Sequence, residues 1–335
     1  MICLSSLNTI LFEKIVEPIL TYNCEVALST IPKSWEYADF VINMWEHGQE
    51  INKVAMSFLR QTLGVHKKTT NIALMSETGK LPTIIKVYNQ IYKYWDRLST
   101  TENELLKEAL KVNTSNHLKG KNTWYKIVDY LLRLTSIDPN DNQKRPKDIF
   151  EKSMKILFQM WWTSETKKDR TKLDFYFSIK KNFGYEQYLD INDRNARKAT
   201  SKLRMSCHCL PIEILRYNGT NRVDRTCNIC TLNKLGDERH YLTECKNKGM
   251  AAIRTKFISD VKKISPQMTN FSTENIMTYC VSMKDKLLHE ITSNFISNLL
   301  KQYKIEDNLP PLEILCLRYM GKIRKPQGQT RRTKL

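Results

Sequence analysis

The 335-residue chain predicts an all-α fold. Three observations carry that prediction. Apolar residues recur at helical spacing almost throughout, helix-start and helix-stop residues flank those segments, and no run of alternating period-two segments with hairpin turns recurs.

Taken in order, INKVAMSFLRQTLG places Ile51, Val54, Ala55, Phe58 and Leu59 on one stripe, with Gly64 able to end the helix in a left-handed cap. LPTIIKVYNQIYKYWDRL begins with Pro82 in the first turn, where a missing N–H costs nothing. It then carries Ile84, Ile85, Tyr88, Ile91, Tyr92 and Trp95 at helical spacing. Thr101 and Glu104 have the spacing of a capping box ahead of Leu105, Leu106, Ala109 and Leu110. Further helical segments are expected at 122–134, 147–163, 171–182, 192–205, 249–264, 284–303 and 310–320. The aromatic run of Trp161, Trp162, Phe175, Tyr176 and Phe177 reads first as core, because aromatic area dominates burial, although such rings can also stack on bases.

A chain of this length can bury a core and divide. The stretch TSIDPNDNQKRP combines Pro, Asn and Asp, so residues 135–146 read as a linker between a helical unit at 1–134 and a basic helical unit at 147–206. A small module at 207–248, C-terminal helices at 249–321 and a disordered basic tail at 322–335 complete the expected division.

Nine cysteines, an odd count, with no cleavable leader after Met1, predict a reducing, nuclear or cytoplasmic setting. No apolar run reaches the roughly eighteen residues a membrane span needs, so no membrane partner is expected. The net charge is +19, and sixteen of those excess charges fall in residues 167–256 and 322–335. A polyanion is the partner such a concentration suits, since each phosphate neutralised by Lys or Arg releases counterions. A solvated basic surface would leave the same trace.

The first of these basic regions contains CNICTLNKLGDERHYLTEC. Cys227 and Cys230 have the spacing by which one tight turn offers two sulfurs, and His240 and Cys245 follow in what reads as a short helix. Four soft donors of this kind predict a closed Zn²⁺ site of Cys₃His type. The module is then a zinc-knuckle insert whose metal binding supplies folding free energy rather than chemistry. A disulfide between Cys227 and Cys230 would leave His240 and Cys245 without a role, and a redox pair would sit beside a strand that is not evident. Cys207 and Cys209 read as structural.

Upstream, DRNARKATSKLR sets Arg194, Arg197, Lys198, Lys202 and Arg204 along about three helical turns, and Arg194, Lys198 and Lys202 share a face. Arg216, Arg222 and Arg225 lead on to Cys227. These eight residues are the expected nucleic-acid contacts.

LFEKIVEPILTYNCEV, FLRQTLGVHKKTTNIALMSETGKLP, IYKYWDRL, IKKNFGYEQYLDINDRNARKATSKLR and the cysteine–histidine run, in that order, resemble the C-terminal part of non-LTR (LINE-type) retrotransposon reverse transcriptases. The resemblance spans roughly residues 10–260 and is most specific over 179–245. It implies that residues 1–134 correspond to the region after the polymerase thumb and that Cys227, Cys230, His240 and Cys245 are metal ligands. It further implies that KLRMSCHCLPIEILRY belongs to a basic strip holding template RNA or target DNA. Ala27, Leu28 and Leu215 depart from the family pattern. The adjacent aspartates and third carboxylate that would hold two Mg²⁺ ions are not evident: in YADF, Phe40 stands where a second aspartate would be needed. The expectation is a non-catalytic chain with no small-molecule substrate. A helical protein-interaction module stapled by zinc is the rival expectation.

Overall fold

A computed structural model describes residues 10–27, 31–47, 49–139, 148–168 and 172–306. Helices dominate, and no strand occurs among the described residues; the extended pairing consists of isolated bridges, Thr78 with Tyr185 and Thr226 with Leu235. No described helix is long and apolar enough to cross a membrane. The helix expected at 310–320 and the tail at 322–335 lie outside the described residues.

The chain forms two compact units, Met1–Thr171 with Lys180–Asp190, and Lys172–Ile179 with Ile191–Leu335. The first is organised on the helix Ile84–Ser99, which buries the expected stripe of Ile84, Ile85, Tyr88, Ile91, Tyr92 and Trp95 together with Val87 and Leu98. Helices Glu104–Leu118, Tyr125–Thr135 and Ile149–Thr166 pack around it. The Tyr92 ring stacks on Phe150 at 4.5 Å and 3°, and the buried Tyr88 hydroxyl donates to the Met44 carbonyl at 2.8 Å. In Gln49–Leu63 the buried positions are Ala55, Met56, Leu59 and Leu63, while Val54 is exposed, so the stripe is rotated toward Met56 from the one expected. Gly64 has φ 65°, as a left-handed terminus requires.

Three further expectations are corrected. Glu104–Leu118 is capped by Asn103, whose side chain accepts from the Leu106 N–H at 3.2 Å, because the cap position falls two residues beyond Thr101. That helix buries none of its own residues, and Leu105 is exposed. The segment expected as a basic unit at 147–206 falls in both units: Ile149–Thr166 belongs to the first, since Phe150, Met154, Phe158 and Trp162 are buried and Phe158 meets Trp45 and Phe183 at 5.3 Å. The expected helix at 171–182 shortens to Asp174–Ile179. Trp162, Phe175 and Tyr176 are core, with Trp161 and Phe177 half-buried.

Gly79 closes Asn71–Thr78 at φ 65°, and a Cβ there would lie 2.6 Å from the Tyr185 nitrogen. The backbone of 184–186 crosses at that point, with the Glu186 N–H on the Glu77 carbonyl at 3.0 Å and the Tyr188 hydroxyl on the Glu77 carboxylate at 2.7 Å. Only glycine permits both the conformation and the approach.

In the second unit, helix Arg194–Arg204 packs on His289–Glu306, and both bury small side chains: Ala196, Thr200 and Ser201 on one, Thr292, Ser293 and Ser297 on the other. Small residues let helix axes approach closely. Lys248–Ile264 packs on His289–Glu306 as well, with Phe257 stacked on Phe295 at 4.1 Å.

Candidate metal centre

The four expected ligands converge. One donor atom from each of Cys227, Cys230, His240 and Cys245 lies within 4.8 Å of every other, and Cys230 Sγ is 3.4 Å from His240 Nε2. A tetrahedral thiolate–imidazole centre needs donor separations of about 3.5–3.8 Å, so a modest contraction around an ion completes it. All three cysteines are free thiols, which excludes the pairing of Cys227 with Cys230 here.

Local chain geometry delivers the donors. Residues 225–236 fold back on themselves, with the Cys227 N–H on the Lys234 carbonyl and the Gly236 N–H on the Arg225 carbonyl, both at 2.8 Å. Asn233 takes a left-handed φ of 48° in the turn, a conformation asparagine tolerates. Gly236 sits against Pro211, whose ring a Cβ would meet at 2.9 Å. The ligand segment then forms one π-helical turn, His240–Glu244, and Asp237 accepts from the His240 N–H at 2.9 Å at its start. Arg254 holds the exit, donating to the carbonyls of Thr243 at 2.9 Å and Cys245 at 2.7 Å. Two rings support the floor: Tyr241, fully buried, meets Tyr303 at 5.2 Å, and the Tyr303 hydroxyl donates to Asn228 at 3.2 Å.

The electrostatics are those of a site that wants a cation. Cys245 shares its proton with Cys227, and this hydrogen bond holds the Cys227 thiol far below its ordinary range while pushing Cys245 above it, where burial adds to the rise. The imidazole turns Nε2 to the sulfurs, leaving Nδ1 3.7 Å from the Glu244 carboxylate, which Lys234 in turn binds at 2.8 Å. At that separation the pair is a charge contact rather than a hydrogen bond, and Nδ1 makes no hydrogen bond among the described residues.

A second buried polar group lies beside the site. Glu238 accepts from the Ser206 hydroxyl at 2.9 Å and from His208 Nε2 at 2.8 Å, while the Leu210 N–H donates to His208 Nδ1 at 3.2 Å. The two ring nitrogens therefore have fixed roles. Through Glu238 the 206–210 turn, directly after the basic helix, is tied to the segment that delivers His240.

The eight expected nucleic-acid contacts separate into two sets. Arg194 is exposed, Lys198 and Lys202 are half-buried, and none of the three forms an ion pair among the described residues. Burial, then the neighbouring charges of Arg194, Lys202 and Arg197, lowers the Lys198 pKa, the mark of crowded like charges. The other five are engaged by the protein. Arg197 and Arg204 are buried, donating to the carbonyls of Ile191 and Val281, so neither offers its charge to a ligand in solvent. Arg216 pairs with Glu213 at 2.6 Å, Arg222 with Asp174 at 3.2 Å, and Arg225 donates to the Thr220 and Ile212 carbonyls at 2.9 and 3.2 Å.

Sequence reasoning missed Arg254, Tyr241, Glu244 and Glu238; of these, Tyr241, Glu244 and Glu238 lie within two residues of His240 or Cys245, which is the one signal that could have marked them. Compared with known proteins, the chain matches no family model, no curated sequence and no solved structure.

Proposed function

We propose that the second unit is a non-catalytic nucleic-acid-binding module in which Cys227, Cys230, His240 and Cys245 hold one structural Zn²⁺ and Arg194, Lys198 and Lys202 hold a polynucleotide backbone. Three thiolates and an imidazole in a closed, largely buried cluster suit Zn²⁺. The ion supplies folding free energy to a segment too short for its own core. The observation that carries the binding reading is the unneutralised face of the basic helix. Asp193 caps that helix by accepting from Asn195 and Ala196, and its buried arginines anchor it, so the three remaining cations are presented on a fixed support. The resemblance to the C-terminal part of non-LTR retrotransposon reverse transcriptases supports the same reading, with template RNA or target DNA as the ligand.

Binding to RNA and DNA oligonucleotides as a function of salt tests this. Three phosphate contacts give a slope of log K against log salt of about −3 for duplex DNA and about −2 for a single strand. Flat titrations would overturn the reading.

A second reading has its own support in the first unit. Ile15, Ile19, Tyr22 and Val26 are exposed apolar residues within one short stretch of chain, which suits a protein-interaction surface. Unchanged nucleic-acid binding when Arg194, Lys198 and Lys202 are replaced together, with folding intact, would favour it.

A further inference from the structure

The geometry points to the groove between helices Lys248–Ile264 and His289–Glu306 as a seat for unpaired bases, which makes the ligand of the cationic face a single strand. This rests on the nucleic-acid reading above and adds the substrate class.

The two helices run antiparallel. The start of one and the end of the other both meet the metal cluster, through Arg254 on the Cys245 carbonyl at 2.7 Å and through the Tyr303 ring 5.2 Å from Tyr241. Phe257 and Phe295 stack at the floor of the groove, whose volume of about 680 Å³ falls in the range of small-ligand sites.

Its chemistry is graded along its length. Lys256 and Lys301 line it toward the metal cluster, and Asp260 and Glu290 line it at the far end. A phosphate backbone is therefore attracted at one end and repelled at the other. Lys301 is also close enough to Asp193, the cap of the basic helix, to help hold that carboxylate below its ordinary range. The cationic face thus continues into the cationic mouth of the groove.

Along the groove wall Asn294, Asn298 and Gln302 recur every fourth residue, so their amides follow one face of the helix. A planar amide offers a donor and an acceptor together, the pattern that matches base edges. An apolar peptide laid in the same groove would cover the amides of Asn294 and Asn298 without satisfying them, at a cost for each. A duplex keeps its base edges paired and stacked, and cannot insert them.

The test compares the full chain with three probes: a single-stranded oligonucleotide, its abasic counterpart and a duplex. Asn294→Ala combined with Asn298→Ala is expected to weaken the base-bearing strand about tenfold and to leave the abasic strand and the duplex unchanged. Asn298→Asp, nearly the same shape, is expected to act in the same direction and guards against misfolding of the double variant. Equal affinity of the wild-type chain for base-bearing and abasic strands, or no effect of either variant, overturns the inference while leaving the backbone-binding reading intact. No affinity for any of the three probes overturns both.

Discussion

The guanidinium of Arg204, fully buried, donates to the main-chain carbonyl of Val281, 77 residues further along the chain. A cation that looks like a ligand contact in the sequence is a brace between two helices of the second unit. Arg204→Ala is expected to cost about 2–4 kcal/mol of stability, since it removes a buried side chain and strands a buried carbonyl. Lys198→Ala and Lys202→Ala are expected to change stability by no more than about 0.5 kcal/mol while weakening nucleic-acid binding. Chemical denaturation read beside oligonucleotide titrations separates the two kinds of basic residue.

Metal content follows from the convergence of the four donors. Elemental analysis is expected to give one Zn²⁺ per chain, and Cys245→Ser, which alters a fully buried ligand, is expected to abolish it. Chelation should lower the melting temperature and weaken nucleic-acid binding with it, because Glu238 ties the His240 segment to the turn after the basic helix. A chelated protein that melts and binds as before would dissociate the ion from the fold.

Acid sensitivity of the basic helix is set by its cap. The Ala196 and Asn195 N–H groups and the charges of Lys301 and Arg197 lower the Asp193 pKa, so the folded state releases this proton more readily than the unfolded chain. The stabilisation is therefore present above the unfolded value, about 3.9, and is lost as pH falls through the lower folded value. Asp193→Ala is expected to cost about 1 kcal/mol at neutral pH. Asp193→Asn keeps an acceptor and should cost less, with a stability profile flatter below about pH 4. Denaturant midpoints measured from pH 7 to pH 3 check both.

Two left-handed glycines predict unequal costs. At Gly79 a Cβ would strike the Tyr185 backbone at 2.6 Å, whereas at Gly120, φ 76°, it would meet nothing within 4 Å. Gly120→Ala is expected to lose about 1 kcal/mol from backbone strain alone. Gly79→Ala should lose about 3 kcal/mol or more, measured by thermal and denaturant unfolding.

The helices centred on Ile84–Ser99 and the convergence of the four candidate metal donors were legible because each depends on spacing within a short segment. The fate of the arginines was legible only in part. Arg194, Lys198 and Lys202 recur every fourth residue, but Arg197 and Arg204 are seven apart and flank the stripe of Ala196, Thr200 and Leu203 that is buried. Helical spacing shows that residues share a face without saying which face meets the core. Ties such as Tyr188 to Glu77, 111 residues apart, depend on which segments meet, and no local pattern encodes that. The capping box at Thr101 failed for a related reason, since Asn103 lies closer to the first turn and accepts the same kind of bond.

Of the four donors, Cys230 is half-buried whereas Cys227, His240 and Cys245 are buried. An ion held by this set is expected to exchange on the Cys230 side. Electrophiles that alkylate thiols will reach Cys230 ahead of its partners, so loss of metal should follow first-order kinetics in a single modified side chain.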